Sequence, residues 1–428
     1  IKRTGALVSS MLNAFYPIIE ALMRVFPLLC AALALIAVPV AAQIGLPRLP
    51  LPPVGSVVGE SLDALGETRA DVQRTVERLA RERLRTVDRL VRANPDIIEL
   101  DALGAPARRG ELIVMGVAAD ALGPALQAGF TVLSREEVEG LGISLIRVGV
   151  PAPLSLAEAQ KALALLLPDA EIVADNLHFQ AGAADGARAS AAFSASTGRA
   201  VPVGMIDGAT GPSIAVAETR GFAKGAPYPS HHGSSVASLL KHAGAGTIRV
   251  ADVYGTDKAG GNALAMAKGL GWLVERGSKV VTISLVGPRN ALLERAVRAA
   301  QRRGVVVVAA VGNDGPAAPP AYPASYPGVV AVTAVDSKRR ALIEAGRALN
   351  LDYAAPGADI YGRNAKGNRI KLRGTSFATP LVAARVARAM GQGGDWRSAL
   401  DREAIDLGRK GPDDVFGRGL VCATCTGR

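Results

Sequence analysis

The stretches KVVTISL at residues 279–285 and VVVVAA at residues 305–310 indicate the fold of the larger part of this chain. Their consecutive β-branched residues are typical of strands buried on both faces. Similar runs lie at residues 201–206, 247–253 and 329–335, with helical patterns between them. Strands that alternate with helices predict an α/β domain over residues 201–428, with a parallel sheet and helices on both faces. In such folds, functional groups gather beyond the carboxyl ends of the strands.

A smaller α+β domain is expected before it, over residues 110–180. The pattern predicts strands at 111–117, 131–133, 143–150 and 170–176, and helices at 119–128 and 155–166. This order of elements predicts a split βαβ, ferredoxin-like sandwich. The small and polar residues 181–200 are expected to form a linker that a protease could cut.

Residues 43–109 are expected to contain a Pro-rich spacer and one charged helix. Apolar residues recur at helical spacing between Thr68 and Ala93, Thr68 and Asp71 suggest a capping box, and Asn94-Pro95 ends the run. The resulting helix is amphipathic, and we expect it to fold back on the domain that follows rather than to dock on a separate partner.

Residues 1–42 have the layout of a secretory signal. The chain begins with Ile1 rather than Met. We therefore expect either that the sequence is a fragment or that its reading frame was started too far upstream, in which case residues before Met23 are spurious. From Met23 one positive charge precedes an apolar run at 25–40, and small residues follow at Ala41 and Ala42. The run is also close to the length of a membrane-spanning helix, so an uncleaved anchor is the competing interpretation. Both interpretations predict a secreted, periplasmic or cell-envelope location.

Composition narrows the classes of function. The 428 residues carry a net charge of +11, which would suit a nucleic-acid partner if the basic residues were clustered, but they are spread over the chain. Only 4% of residues are aromatic, so the stacking platforms of single-strand binders are missing. After signal removal Cys422 and Cys425 remain, and a small disulfide is favoured over a redox pair.

Four polar residues each occupy a predicted strand exit or helix entrance. Asp207 follows VPVGMI, His232 opens HGSSVASLLKH, Ser376 lies in GTSFATP before a long apolar helix, and Asn313 ends the run VVVVAAVGN. A serine hydroxyl becomes a nucleophile when a neutral imidazole takes its proton, and that imidazole needs a carboxylate on its other nitrogen. Acyl transfer also needs donors for the developing oxyanion, which a side-chain amide can supply.

Together these segments resemble the subtilisin-like serine proteases (subtilases). The resemblance covers residues 200–421 and rests on MIDGA, HGSSVAS, ISLVGP, AAVGNDG, YPGVVAVTAVDS, AAPG and GTSFATP, in the order Asp, His, Ser. It implies that Asp207 orients, that His232 is general base and then acid, and that Ser376 is the nucleophile. It also implies that Asn313 and the Ser376 backbone N–H form the oxyanion hole. His231 is excluded because the family's histidine directly precedes glycine, and His178 and His242 are interpreted as surface residues.

Substrate binding is expected along strand edges, because a protease holds its peptide extended. The segment Ser284, Leu285, Val286 and Gly287 would flank the peptide on one side, and Gly260 and Gly261 on the other by analogy with the family. Ala310 and Gly312 would line the pocket that binds the substrate residue before the scissile bond. Asp314 has two interpretations, a preference for a basic substrate residue or a side chain that faces water.

The resemblance implies an exported serine endopeptidase, made as a zymogen that cleaves itself between about residues 176 and 200. The residue 110–180 domain would be its propeptide and intramolecular inhibitor. No cofactor and no metal site are identified; a calcium loop is not expected between Leu239 and Thr247, while calcium elsewhere stays open. We expect a monomer that acts on peptides or proteins. The alternative is a catalytically silent subtilase fold used as a binding module.

Overall fold

The computed structural model describes residues 69–185 and 200–426. The expected signal or anchor, the Pro-rich spacer, Thr68 and most of the expected linker lie outside the described residues. Within the described ranges, no helix combines the length and the apolar character that crossing a membrane requires.

Residues 69–180 form one long helix followed by an antiparallel sheet. The elements are α1 (Arg69–Ala93), β1 (Ile98–Leu100), β2 (Pro106–Met115), a 3₁₀ turn (Ala119–Leu122), α2 (Gly123–Gln127), β3 (Thr131–Val138), β4 (Ile143–Gly149), α3 (Leu156–Leu166) and β5 (Glu171–Asn176). β4 lies between β2 and β3, and both β1 and β5 pair with β2. This is the split βαβ order that the sequence predicts, with β1 as an additional strand.

The chain then passes to the larger unit through two short strands, β6 (Phe179–Gln180) and β7 (Ala183–Asp185). The first residues of the expected linker therefore form a strand. A strand here requires partners from elsewhere in the chain, which the local pattern of small residues does not reveal.

Residues 200–426 contain the remaining elements. They are β8 (Val203–Asp207), β9 (Glu218–Gly221), α4 (His231–His242), β10 (Ile248–Asp252), α5 (Ala263–Glu275), β11 (Val280–Ile283), β12 (Leu285–Val286), α6 (Ala291–Arg302), β13 (Val306–Ala310), β14 (Val330–Val335), β15 (Tyr353–Pro356), β16 (Ala358–Arg363), β17 (Arg369–Arg373), α7 (Thr375–Gly391) and α8 (Trp396–Glu403).

Seven of these strands form one sheet in the order β15-β14-β13-β11-β8-β10-β9, and every neighbouring pair is parallel. Two apolar cores cover it. Val236 of α4 and Phe377 of α7 are buried in one core, and Trp272 of α5 and Leu293 of α6 are buried in the other. Helices on both faces hide the β-branched runs from water, which confirms the α/β class expected from the sequence.

The carboxyl-terminal tail is closed by a disulfide between Cys422 and Cys425. Both residues are buried, Cys422 in the same core as Val236. The structure thus agrees with a small structural staple.

Candidate active site

Three polar side chains meet at the carboxyl-terminal edge of the parallel sheet. Asp207 is the last residue of β8, His232 lies in the first turn of α4, and Ser376 lies in the first turn of α7. All three are buried. Although they are far apart in the sequence, the fold brings them into direct contact.

The contacts form a continuous chain of hydrogen bonds. His232 Nδ1 lies 2.8 Å from Asp207 Oδ2 and 3.0 Å from Oδ1, and His232 Nε2 lies 3.0 Å from Ser376 Oγ. Because an ionised carboxylate can only accept, Nδ1 carries the proton and Nε2 is free to accept from the serine hydroxyl. The backbone N–H of Gly208 also donates to Asp207 Oδ1 at 2.8 Å and helps to fix the carboxylate.

The fourth predicted residue, Asn313, lies at the loop after β13 and faces the start of α7. Its Oδ1 accepts a hydrogen bond from the Thr375 backbone N–H at 3.1 Å. The Thr375 hydroxyl in turn donates to the Gly312 carbonyl at 3.1 Å. These contacts fix the amide plane of Asn313, so that its NH₂ group faces the gap beside Gly374.

Gly374 keeps that gap open. Its φ of +141° is a conformation that side-chain-bearing residues rarely adopt, and an added Cβ would lie 2.7 Å from Asn313 Nδ2 and 2.8 Å from the carbonyl oxygen of Ala181. The Ser376 backbone N–H donates to the same Ala181 oxygen at 2.9 Å. The Ala181 carbonyl therefore contacts one of the two donors that the resemblance assigns to an oxyanion hole, the Ser376 N–H, and the Asn313 amide faces the same gap beside Gly374.

Residues 177–185 run through the cleft beside this site. Leu177 pairs with Asn262 on one wall, and β6 pairs antiparallel with β12 on the other. Beyond the serine, β7 pairs antiparallel with β17. The chain itself thus occupies the groove as an extended strand, in the manner expected of a peptide held at strand edges.

Most of the predicted groove residues contact this segment. The Gly261 carbonyl accepts from His178 N–H at 2.9 Å, and the Ser284 carbonyl accepts from Ala181 N–H at 3.2 Å. The other direct contacts come from Leu285 and Val286, which pair with Gln180 and Phe179, and from Gly287, where an added Cβ would lie 2.6 Å from the His178 ring.

Gly260, Ala310 and Gly312 are placed differently. Gly260 lies in the turn before Gly261, Ala310 is buried at the end of β13, and the Gly312 carbonyl accepts from Gly346 N–H. Among the described residues, none of the three makes a hydrogen bond to residues 177–182.

His178 was expected at the surface, and that prediction is wrong. Its side chain is fully buried in the groove beside Gly287, its Nδ1 lies 3.2 Å from the Asn176 carbonyl, and the Tyr254 hydroxyl donates to its carbonyl at 2.8 Å. Burial lowers the pKa of His178 to about 4, because the charged form loses its hydration. A lone histidine without a neighbouring motif carries no sign of such burial in the sequence.

Two further polar contacts at the site were not predicted. The Ser284 hydroxyl donates to the Ser376 carbonyl at 2.8 Å, which ties the groove wall to the start of α7. Gln180 Nε2 donates to Asp207 Oδ1 at 3.3 Å, so the groove segment also reaches the carboxylate. Ser284 could be found from its place in the predicted groove wall, whereas no pattern in the sequence points to Gln180.

The Asp314 side chain forms an ion pair with the amino-terminal helix α1, a contact that the sequence did not predict. Its Oδ2 lies 3.2 Å from Arg83 Nε of the amino-terminal helix α1. Desolvation raises the pKa of the Asp314 carboxyl, and the Arg83 guanidinium opposes that rise.

Within the described ranges, no three His, Cys, Asp or Glu side chains are grouped so that they could hold a metal ion.

An acid, an imidazole and a serine in this geometry, at the carboxyl-terminal edge of a parallel α/β sheet, define the class of serine hydrolases with a catalytic triad. The comparisons with known proteins identify the family. A model of the Subtilase family matches residues 218–419. The chain is 32% identical to Subtilisin Savinase of Lederbergia lenta over 252 residues, which are 54% of this chain and 92% of that protein. The chain belongs to the subtilase family of peptidases.

Other relatives agree with this assignment. The chain is 29% identical to Subtilisin E of Bacillus subtilis (strain 168) over 222 residues, which are 49% of this chain and 58% of that protein. The crystal structure of fervidolysin from Fervidobacterium pennivorans, described as a keratinolytic enzyme related to subtilisin, superposes with a TM-score of 0.60 at 18% identity. That match covers 75% of this chain and 61% of fervidolysin, and it shows the shared fold.

Proposed function

We propose that this chain is an exported serine endopeptidase, made as a zymogen that cleaves its own Ala181–Gly182 bond. One observation carries the proposal: the Ala181 carbonyl accepts the Ser376 N–H while the Ser376 hydroxyl contacts His232. An added Cβ on Gly182 would overlap Ser376 Oγ, so the bond after Ala181 lies directly at the nucleophile. The same groove would then accept peptides or proteins once the segment has left.

The chemistry follows from these positions. Ser376 Oγ attacks the Ala181 carbonyl carbon and its proton passes to His232 Nε2, while Asp207 stabilises the imidazolium. The oxyanion accepts hydrogen bonds from Ser376 N–H and Asn313 Nδ2. The C–N bond to Gly182 then breaks as His232 returns the proton to the Gly182 nitrogen. Water, deprotonated by His232, finally attacks the Ala181 acyl ester and regenerates the Ser376 hydroxyl.

The residue 110–180 domain fits the role of an intramolecular inhibitor. Asp175 Oδ1 accepts from Leu264 N–H at the start of α5 at 2.9 Å. Asn290 Nδ2, at the start of α6, donates to the Ala174 carbonyl and to Asn176 Oδ1, both at 2.9 Å. These contacts hold β5 against two helices of the catalytic domain and deliver residues 177–181 to the groove. After cleavage they would keep the product end in place.

The terminus of the processed protein tests this proposal. Incubation of the full chain should yield a catalytic fragment whose new amino terminus is Gly182, as read by terminal sequencing. A first cut at any other bond would overturn the assignment of the scissile bond, because among the described residues only the Ala181–Gly182 bond lies at Ser376.

The Gly182→Val substitution should slow self-cleavage by about 10²-fold, a loss that small misplacements of reacting groups can cause. The added side chain would collide with Ser376 Oγ and the Phe377 ring and displace the bond from the nucleophile. The measurement is the rate at which the full-length band disappears. Ala183→Val is the matched control, because β-branched residues suit the strand that residue 183 forms with β17. Equal rates for both variants would contradict the proposed geometry.

Protonation of His178 in acid should weaken the binding of the cleaved prodomain to the catalytic domain. Burial lowers the pKa of bound His178 from the ordinary histidine value of 6.5 to about 4, so the bound state carries fewer protons and loses stability as the pH falls from 6.5 towards 4. Asp175 acts in the opposite sense, because desolvation raises its pKa to about 7 and the bound state takes up a proton as the pH falls below that value. Arg108, Arg147 and Glu111 surround Asp175, and Tyr254 faces His178.

Substitutions separate the contributions of His178 and Asp175 to the pH dependence of prodomain binding. In His178→Asn, the ratio of prodomain dissociation constants at pH 5 and pH 8 should fall by about tenfold or more relative to the wild type. In Asp175→Asn the same ratio should rise, since the opposing contribution is gone. Dissociation is measured by dilution of the processed complex and the appearance of hydrolysis. An unchanged ratio in His178→Asn would exclude His178 as a pH-sensitive contact.

A further inference from the structure

The amino-terminal helix α1 lies outside the ferredoxin-like sandwich, yet one of its faces contacts the catalytic domain. Its salt bridges between neighbouring turns, such as Arg78–Glu82 at 3.0 Å and Arg92–Asp88 at 2.9 Å, lie on exposed side chains. The less exposed residues recur at helical spacing and form one stripe. They are Thr75, Val76, Leu79, Ala80, Arg83, Val87, Leu90 and Val91.

The first half of this stripe docks beside the loop after β13 that carries Asn313. Val76 is buried against Ala317 and Ile343. Leu79 lies directly on Gly315, where an added Cβ would be 3.1 Å from Leu79 Cδ1. Arg83 pairs with Asp314, the residue that follows Asn313.

The second half docks at the other wall of the groove. Leu90 and Val91 pack against Ile98, Leu177 and Ala259. Leu177 is the first groove-bound residue, and Ala259 precedes the Gly260-Gly261 turn that holds His178. Val76 and Leu90 are 14 residues apart, so the helix spans roughly 21 Å between the two attachment points.

We infer that α1 is a second inhibitory element, whose docking surface is formed by Asp314, Gly315, Ala317 and Ile343 of the catalytic domain. This inference rests on the proposed function. After cleavage at Ala181–Gly182, helix and sandwich remain one fragment, so the helix attaches to the catalytic domain at high effective concentration. The prodomain fragment then leaves the groove only when both its groove-bound end and helix α1 have dissociated from the catalytic domain. The Arg83–Asp314 pair is half exposed and contributes little, and the apolar contacts of Val76 and Leu79 are the main anchor.

The test uses the full chain and one substitution on each side of the helix. Leu79→Asp removes the contact with Gly315, and Leu84→Asp makes the same change at a position that is 56% exposed. After self-cleavage, the delay between formation of the new terminus and the onset of peptide hydrolysis should be about tenfold shorter in Leu79→Asp and unchanged in Leu84→Asp. Ile343→Asp, on the catalytic domain, should shorten the delay in the same way. Equal delays in Leu79→Asp and Leu84→Asp would overturn the inference.

A second measurement is independent of catalysis. In a Ser376→Ala background, amide exchange should be faster in Leu79→Asp than in Leu84→Asp, both along residues 76–83 and in residues 314–317. Unchanged protection in both segments would also overturn the inference. If the wild-type chain neither cleaves itself nor hydrolyses peptides, the proposed function fails, while the exchange result still decides whether α1 docks on this surface.

Discussion

Replacement of Ser376 by alanine is expected to leave the chain uncut and to reduce peptide hydrolysis by about 10⁶-fold, the loss that follows removal of the nucleophile from such a triad. The oxyanion donors remain in place without the hydroxyl, but no acyl-enzyme can form, and the uncut segment stays paired with β12 and β17 in the groove. In the wild type His232 Nε2 lies 3.0 Å from Ser376 Oγ. In the variant this oxygen is gone, so the imidazole has no serine proton to accept. The measurements are the rate of loss of the full-length chain and the turnover of a peptide substrate.

Covalent labelling by a serine-directed fluorophosphonate gives the same test without a chosen substrate. The wild type should be labelled and Ser376→Ala should not. Ser337→Ala, which changes a serine that bonds Asp359 on the exposed surface, is the matched control and should be labelled like the wild type. Equal labelling of wild type and Ser376→Ala would refute Ser376 as nucleophile. Absence of labelling in both would favour the alternative of a silent binding module.

Asp207, His232 and Ser376 could be predicted from the sequence because their flanking segments resemble those of the subtilases, and each residue also stands at a predicted strand or helix end. Asp207 ends an apolar β-branched run, and His232 and Ser376 each stand at the start of a helix. A parallel sheet aligns the carboxyl ends of its strands, so residues at those ends converge whatever their separation in the sequence. The architecture of the sheet therefore follows from the pattern, and the meeting point of the side chains follows from the architecture.

The groove segment could not be predicted with the same precision. The burial of His178 and the strand at Ala183–Asp185 both depend on edges supplied by distant residues, namely Gly261 and β17. The same holds for Asp314, whose partner Arg83 lies more than two hundred residues earlier in the chain. Local periodicity indicates that a helix has an apolar stripe, but it does not indicate which surface the stripe covers.

These contacts have a common physical basis. The groove offers unpaired backbone groups at Gly261, Ser284 and β17, and the chain satisfies them with its own residues 178–185. An exposed strand edge pairs with whatever extended chain is nearest. A tethered segment is always near, so under the proposed function the uncut chain would block its own groove until the tether is broken and its remaining contacts dissociate.

Replacement of Asn313 by aspartate is expected to reduce both self-cleavage and peptide hydrolysis by about 10²–10³-fold or more. The amide has two functions: Oδ1 accepts from Thr375 N–H at 3.1 Å, and Nδ2 faces the gap where the Ala181 oxygen lies. Aspartate keeps the acceptor for Thr375 and removes the donor, so a loss of turnover reports on the oxyanion rather than on the position of α7. Its negative charge beside a developing oxyanion adds to the loss.

The loss should appear in kcat rather than in KM, because the donor gains strength only as charge develops on the carbonyl oxygen. Asn350→Asp makes the same chemical change at an exposed position and is expected to leave kcat unchanged. Thermal unfolding of both variants should match the wild type. If Asn313→Asp raised KM and kept kcat, the amide would bind the ground state only, and the hydrogen bond from Ser376 N–H would have to stabilise the oxyanion without it.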